Sequence, residues 1–186
     1  WKEYLSFEAM PKTINPPSGF VFNANNTPYV SSVGEGQPKP TDFSPTMGIE
    51  TKMTNRAHRL RRLLSSLDSI SEADFRRIKY DLSYDVESQG MPEFLRFIEA
   101  PLPAGNDDIA EAFALLKSRD YSTNIDNRSA AIAMLTLAPL LDFRQQQEKP
   151  DLIAGLRDAQ DTLITHFGRI DPTYGEVKRL QRGEQE

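Results

Sequence analysis

The chain has 186 residues, of which 38% are hydrophobic and 26% are charged, a composition typical of a folded protein. Its net charge of −5 disfavours binding to nucleic acid or to an anionic membrane surface. No apolar run approaches the roughly 20 residues that a membrane helix needs. The lack of cysteine excludes disulfides and thiolate metal sites. We therefore predict neither a nucleic-acid partner nor a membrane partner.

The first quarter of the chain is rich in proline, with seven of the 13 prolines in the first 45 residues. Proline breaks helices and restricts the residue before it, so most of this region is extended or turning. Residues 19–25 are predicted to form a strand, because the apolar run at 20–22 follows the turn chemistry of Pro17-Ser18-Gly19. We interpret residues 1–49 as an extended strand and loop segment.

Helical periodicity governs the chain from residue 50 onward. The candidate helices are a leucine-rich segment around residues 60–67, segments capped by Ser71, Asn106 and Asp151, and a uniformly apolar segment at 130–141. Gly168 is expected to end the helix that Asp151 begins. The prediction is an α+β fold in which the strand-containing first quarter precedes a mainly helical remainder, residues 50–186.

The end of the predicted strand is rich in asparagine, which is its most unusual feature. In a strand alternate residues share a face, so Asn23 and Asn25 point one way while Ala24 and Asn26 point the other. An amide fixed at a strand end can donate an N–H to a carbonyl oxygen that becomes negative, as an oxyanion hole requires. The alternative is that these side chains bond the nearby backbone in a turn before Pro28. Spacing alone favours this alternative.

Arg56 is the second candidate functional residue. It lies four residues before Leu60 and seven before Leu63, so the leucine periodicity places it on the inward face of its helix. A guanidinium on that face needs partners, because an unpaired buried charge is costly. The alternative is that Arg56 lies at the helix start and extends to water. We interpret the remaining basic residues of "RAHRLRR" at 56–62 as a solvated helix face.

Searches for metal-ligating and nucleophilic motifs identify no complete site. His58 and His166 are far apart in sequence and lack a second ligand at helical spacing. Asp42, Glu50 and Asp85 are possible calcium ligands without an EF-hand pattern. No GxSxG elbow, phosphate-binding loop or glycine-rich dinucleotide turn is present.

Four segments in order, "WKEYLSFEAMP", "INPPSGFVFNANNTPY", "MGIETKMTNRAHRL" and "DPTYGEVKRLQRG", resemble the penicillin acylase family of N-terminal nucleophile hydrolases. Within it the chain looks most similar to the acyl-homoserine lactone and aculeacin acylases. The resemblance implies an αββα fold and a precursor that cuts itself into α and β chains. The first residue of the β chain then attacks an amide carbonyl, with its own α-amino group as base.

The resemblance also implies roles for individual residues. The oxyanion asparagine of the family matches Asn25, and the arginine that helps hold its site together matches Arg56. Both are expected to be catalytic, and Asn23 is expected to bind substrate. The family nucleophile lies upstream of Trp1, so the chain is expected to be an internal piece of a β chain and inactive alone. Its partners are then the α chain, the rest of the β chain and a small N-acyl substrate.

Further expectations rest on the resemblance alone. Most relatives are periplasmic or secreted, and some act on antibiotics such as β-lactams. No cofactor is predicted, although calcium is possible by resemblance; Asp42 matches the family's calcium-ligand position poorly. The competing interpretation is a non-catalytic helical binding module whose asparagines only shape a turn.

Overall fold

The computed structural model describes residues 4–141 and 150–180. The chain divides into two compact units, residues 1–81 and 82–186. The α-helices of the described residues are α1 Asn55–Ser65 and α2 Glu72–Lys79 in the first unit, and α3 Met91–Glu99, α4 Ala110–Lys117, α5 Ala130–Leu141, α6 Leu152–Phe167 and α7 Tyr174–Val177 in the second. Short 3₁₀ turns lie at Phe7–Ala9, Pro28–Val30, Pro40–Asp42, Pro45–Met47 and Asp107–Ile109.

The prediction of an α+β fold is wrong, since the described residues contain no β-strand and no sheet. Their β-type pairing is limited to an isolated antiparallel bridge between Ser83 and Ser122. A strand requires extended backbone and a continuous ladder with a neighbour. The segment at 19–25 has instead left-handed backbone at both ends, with φ of 76° at Gly19 and 59° at Asn25.

The helices begin and end for local reasons that the sequence predicts well. The Ser71 hydroxyl accepts the N–H of Asp74 and the Asp74 carboxylate accepts that of Ser71, which completes a capping box at α2. Asp151 accepts the N–H groups of Ile153 and Ala154 at the start of α6. Gly168, with φ of 69°, ends α6 in the left-handed conformation that glycine adopts readily.

Helical backbone begins directly after Asn106, as predicted, but the Asn106 side chain does not cap it. Its side chain makes no capping hydrogen bond, and a 3₁₀ turn separates it from α4. The amide nitrogen instead donates to Pro103 O, at 3.0 Å, and the amide oxygen accepts from Arg157 of α6 at 3.0 Å. The side chain therefore ties the loop before α4 to α6 rather than capping a helix.

The first unit has a small apolar core beneath its proline-rich segment. Phe22, Ala24 and Ala57 are buried together, with Leu60 and Leu64 of α1 packed against them. Two of the leucines on the predicted inward face of α1 therefore pack against this core. On α2 only part of the predicted face is buried, because Ile78 is 7% exposed and Phe75 is 60% exposed.

The second unit has a larger core formed by α3 to α6. Its fully buried members include Ile109, Leu116, Ile132, Leu156 and Leu163. Helices α5 and α6 pack against each other most extensively, and Gly155 of α6 brings the helix close to the Thr136 carbonyl of α5. The predicted burial of the apolar segment 130–141 is confirmed. None of the helices in the described part of the chain is both long and apolar enough to cross a membrane.

Candidate functional site

The candidate site is the amide turn, which we define as residues 23–26, together with the start of α1. Phe22 and Ala24 are buried, whereas Asn23 and Asn25 are exposed. The alternation expected of an extended segment is therefore present, although the described residues form no sheet. The segment presents the amides of Asn23 and Asn25 on the surface. Phe22 and Ala24 anchor it in the core of the first unit.

Two of the three asparagines in the turn bond to backbone. The Asn23 side-chain oxygen accepts the backbone N–H of Asn25 at 2.9 Å. The Asn26 oxygen accepts the N–H of Ala24 at 2.8 Å, and its amide nitrogen donates to Thr27 O and Val30 O. These contacts are the turn-forming use of asparagine that spacing alone favours.

Asn25 differs from its neighbours because its side chain bonds to no backbone group that the structure describes. Its oxygen Oδ1 accepts a hydrogen bond from Nη2 of Arg56, with 2.6 Å between the two atoms. Its backbone has φ of 59°, a conformation that asparagine tolerates better than most residues. The turn therefore projects the Asn25 amide outward, toward the first turn of α1.

The Arg56 contact determines which end of the Asn25 amide is available. A guanidinium is only a donor, so the atom facing it is the amide oxygen and the opposite atom is Nδ2. Nδ2 makes no hydrogen bond to the described residues. The positive charge of the Arg56 guanidinium, next to the amide oxygen, polarises the amide and strengthens Nδ2 as a donor. The pair thus presents an oriented N–H at an exposed position.

The position of Arg56 differs from the one that periodicity predicts. Its side chain is exposed rather than on the buried face, which Ala57, Leu60 and Leu64 form instead. The reason is angular: the buried stripe of α1 runs through Ala57, Leu60 and Leu64, and Arg56 lies to one side of it. The guanidinium nevertheless has the polar partner that we expected, because it donates to the side chain of Asn25.

Thr54 connects the amide turn to α1, and sequence analysis did not identify it. Its hydroxyl donates to Ala24 O at 2.8 Å and accepts the N–H of Ala57 at 3.2 Å. A backbone hydrogen bond, from Thr27 N to Lys52 O at 3.0 Å, also joins the segment after the amide turn to the residues just before α1. A threonine just before a helical pattern signals a cap, but the bond to Ala24 depends on residues 30 positions apart.

The two calcium-ligand candidates of the first unit have local structural roles. Asp42 accepts the N–H of Lys39 at 3.1 Å in a 3₁₀ turn. Glu50 accepts the N–H groups of Thr51 and Lys52, and these bonds lower its pKa. Within the described residues, neither belongs to a cluster of three metal-ligating side chains.

An exposed amide N–H, oriented by a guanidinium and fixed to a buried anchor, suits the stabilisation of an oxygen that gains negative charge. Hydrolases that form tetrahedral intermediates at a carbonyl use donors of this kind.

The family model for penicillin amidase matches residues 1–181, and the chain belongs to that family. The predicted membership is confirmed, and with it the assignment to a family of amide hydrolases.

Proposed function

We propose that this chain supplies the oxyanion donor of an acylase that hydrolyses the amide of a small N-acyl compound through an acyl-enzyme. The observation that carries the proposal is the Arg56–Asn25 hydrogen bond of 2.6 Å, which leaves Nδ2 of Asn25 as an outward donor. Asn25 contacts the reacting oxygen, and Arg56 acts through Asn25 as a positioning residue. The nucleophile belongs to another segment of the processed precursor, as the resemblance implies.

The chemistry of the site supports this division of roles. A carbonyl oxygen becomes negative only when the nucleophile has added, so a donor aimed at it stabilises the transition state more than the substrate. Asn25 is rigid for this purpose because its backbone N–H is bonded to Asn23 and its flanking residue Ala24 is buried. Preorganisation of this kind avoids reorientation during the reaction.

The finer features of the proposal rest on resemblance. Acyl-homoserine lactones, lipopeptides and β-lactams are the substrate classes, Asn23 contacts substrate through its amide nitrogen, and the enzyme acts in the periplasm or outside the cell after precursor processing. The α chain and the remaining β-chain segments complete the active site. Calcium binding belongs to the same set of expectations.

The test uses substitutions at Asn25 in the processed enzyme. Asn25→Gly removes the amide and keeps the left-handed backbone, and Asn25→Asp keeps the shape and the Arg56 contact but removes the N–H donor. Both are expected to lower kcat by about 10²–10³ with little change in KM, the usual loss for one oxyanion donor. Rates on a panel of N-acyl substrates, together with thermal melts, measure the effect.

Asn15 provides a matched control, because it is also an exposed asparagine with left-handed backbone, at φ of 46°. Asn15→Gly changes the chain in the same way outside the site and is expected to leave kcat unchanged. If Asn25→Gly and Asn25→Asp both keep near-full kcat, Asn25 only shapes the turn and the proposal is wrong.

A further inference from the structure

The hydroxyl of Thr54 bonds the amide turn and the first turn of α1 at the same time. It donates to Ala24 O at 2.8 Å and accepts the N–H of Ala57 at 3.2 Å. Ala24 and Ala57 are 5% and 0% exposed and belong to one core cluster. Both hydrogen bonds are partly buried, and a bond shielded from water is electrostatically stronger than an exposed one.

This use of a capping hydroxyl differs from that at the two other hydroxyl caps of the α-helices that the structure describes. Ser71 and Thr173 each donate to the acidic residue three positions further on, within the capping box of their own helix. The equivalent residue of α1 is Ala57, whose side chain has no acceptor. The hydroxyl hydrogen of Thr54 is directed instead to a segment 30 residues away.

The peptide unit between Ala24 and Asn25 is held at both of its polar atoms. Its carbonyl oxygen accepts from Thr54, and its N–H donates to Oδ1 of Asn23 at 2.9 Å. A peptide unit is planar, so two bonds on opposite sides fix its orientation. With that plane fixed, the φ of 59° at Asn25 sets the direction of the Cα–Cβ bond. The Asn25 side chain therefore leaves the turn in a defined direction.

The acceptor side of the same hydroxyl holds the backbone from which Arg56 extends. Thr54 O also accepts the N–H of His58 at 3.1 Å, so the first turn of α1 is bonded to Thr54 through its side chain and its backbone. Arg56 lies in that turn and donates to Oδ1 of Asn25 at 2.6 Å. One hydroxyl thus relates the two backbone positions whose side chains form the Arg56–Asn25 pair.

From this arrangement we infer that Thr54 is a positioning residue of the oxyanion site, which directs the Asn25 N–H through the Ala24 carbonyl. The inference rests on the proposed function of Asn25 as oxyanion donor. Such a donor works over a narrow range of distance and angle, so Thr54 affects the reaction without touching the substrate. The reacting oxygen is charged only in the transition state, and the effect therefore falls on kcat rather than on KM.

The test uses Thr54 variants of the processed enzyme, with kcat and KM measured per processed molecule on the N-acyl substrate that the unmodified enzyme hydrolyses fastest. Thr54→Val keeps the branched shape and loses both hydrogen bonds, and we expect kcat to decrease about tenfold or more. Thr54→Ser keeps the hydroxyl and is expected to restore kcat. Thr54→Asp keeps a capping acceptor but cannot donate to Ala24 O, so it is expected to retain the melting temperature and lose kcat.

Ser71→Ala is the matched control, because it removes a hydroxyl cap of the same unit whose partner is Asp74 of its own helix. It is expected to lower the melting temperature and leave kcat unchanged. In an Asn25→Gly background, Thr54→Val is expected to cause no further loss of kcat, because Thr54 acts through the Asn25 amide. A further loss in that background overturns the inference.

The same measurements separate this inference from the proposed function. If Asn25→Gly is slow but Thr54→Val keeps near-full kcat, the positioning role is wrong and the role of Asn25 stands. Thr54→Asp decides in the same way if Thr54→Val does not fold. If Asn25→Gly keeps near-full kcat, the proposed function is wrong and the positioning role of Thr54 is wrong with it.

Discussion

At Asn25 the backbone conformation and the side-chain chemistry favour the same residue for different reasons. Left-handed backbone with φ of 59° is accessible to glycine, asparagine and aspartate, and among these only asparagine offers an N–H donor. The neighbouring Asn23 and Asn26 serve the turn through oxygen-to-backbone bonds. Three asparagines within four residues therefore have two distinct roles.

The Arg56–Asn25 pair gives a prediction about coupling. Arg56→Met removes the partner of the Asn25 oxygen, so the amide loses its preferred orientation. We expect kcat to decrease about tenfold, since one hydrogen bond to a charged group contributes about 1.5 kcal/mol. The double variant Arg56→Met/Asn25→Gly is expected to be no slower than Asn25→Gly alone, because Arg56 acts through the amide.

Kinetics of the four proteins in this cycle test the prediction, with KM followed separately from kcat. Rate losses that simply multiply in the double variant would mean that Arg56 acts independently of Asn25. Arg56→Lys is a useful companion, because it keeps the charge and loses the planar geometry that fixes the amide.

At the scale of the helices, features set by neighbouring residues could be predicted from the sequence, whereas contacts between distant residues could not. The cap of α2 at Ser71, both ends of α6 and the apolar segment of α5 follow from local sequence. The Asn106 oxygen makes no capping bond and instead accepts from Arg157, 51 residues away, which local sequence does not indicate. Residues 19–25 have strand composition, yet a ladder requires a neighbouring segment that periodicity does not supply. The Arg56–Asn25 contact joins residues 31 positions apart. The sequence singled out each residue, and the family resemblance placed both in one site, but neither predicted the hydrogen bond between them.

The start of α3 depends on Gly90, which has φ of 78°. A Cβ at this position would lie 2.8 Å from Cβ of Leu140 in α5. Gly90→Ala therefore combines a left-handed backbone penalty of about 1–2 kcal/mol with overpacking of about 1–3 kcal/mol. We expect the free energy of unfolding to decrease by about 2–5 kcal/mol in denaturant titrations.

Gly105 separates the two contributions, because it has φ of 83° and its Cβ position is open. Gly105→Ala is expected to show only the backbone penalty, about 1–2 kcal/mol. Equal losses for Gly90→Ala and Gly105→Ala would contradict the close approach of α3 to α5.

At the scale of the whole molecule, the part of the first unit before α1 and the second unit differ in how their backbone is stabilised. Residues 4–54 contain no α-helix and rely on 3₁₀ turns and side-chain bonds, whereas residues 82–141 and 150–180 form five helices around one core. Local opening requires less free energy where few buried contacts and few regular hydrogen bonds resist it.

Hydrogen exchange of the full 186-residue chain tests this difference. We expect the slowest amides in α6 and exchange at least tenfold faster across residues 19–32. Within that faster segment, Phe22 and Thr27 are expected to exchange most slowly, since their N–H groups bond Ser31 O and Lys52 O. Equal protection of residues 19–32 and α6 would contradict the picture of a segment held by a few side-chain bonds.

The outward amide of Asn25 also has a consequence for the ageing of a purified preparation. Asparagine is chemically labile, and hydrolysis of its side chain yields aspartate. Aspartate tolerates the same left-handed backbone and pairs with Arg56, so the aged molecule keeps its fold. It has lost the single N–H on which the proposed chemistry depends. Storage would therefore reduce turnover while melting curves stayed constant, and intact-mass spectra would reveal inactive molecules that no folding assay detects.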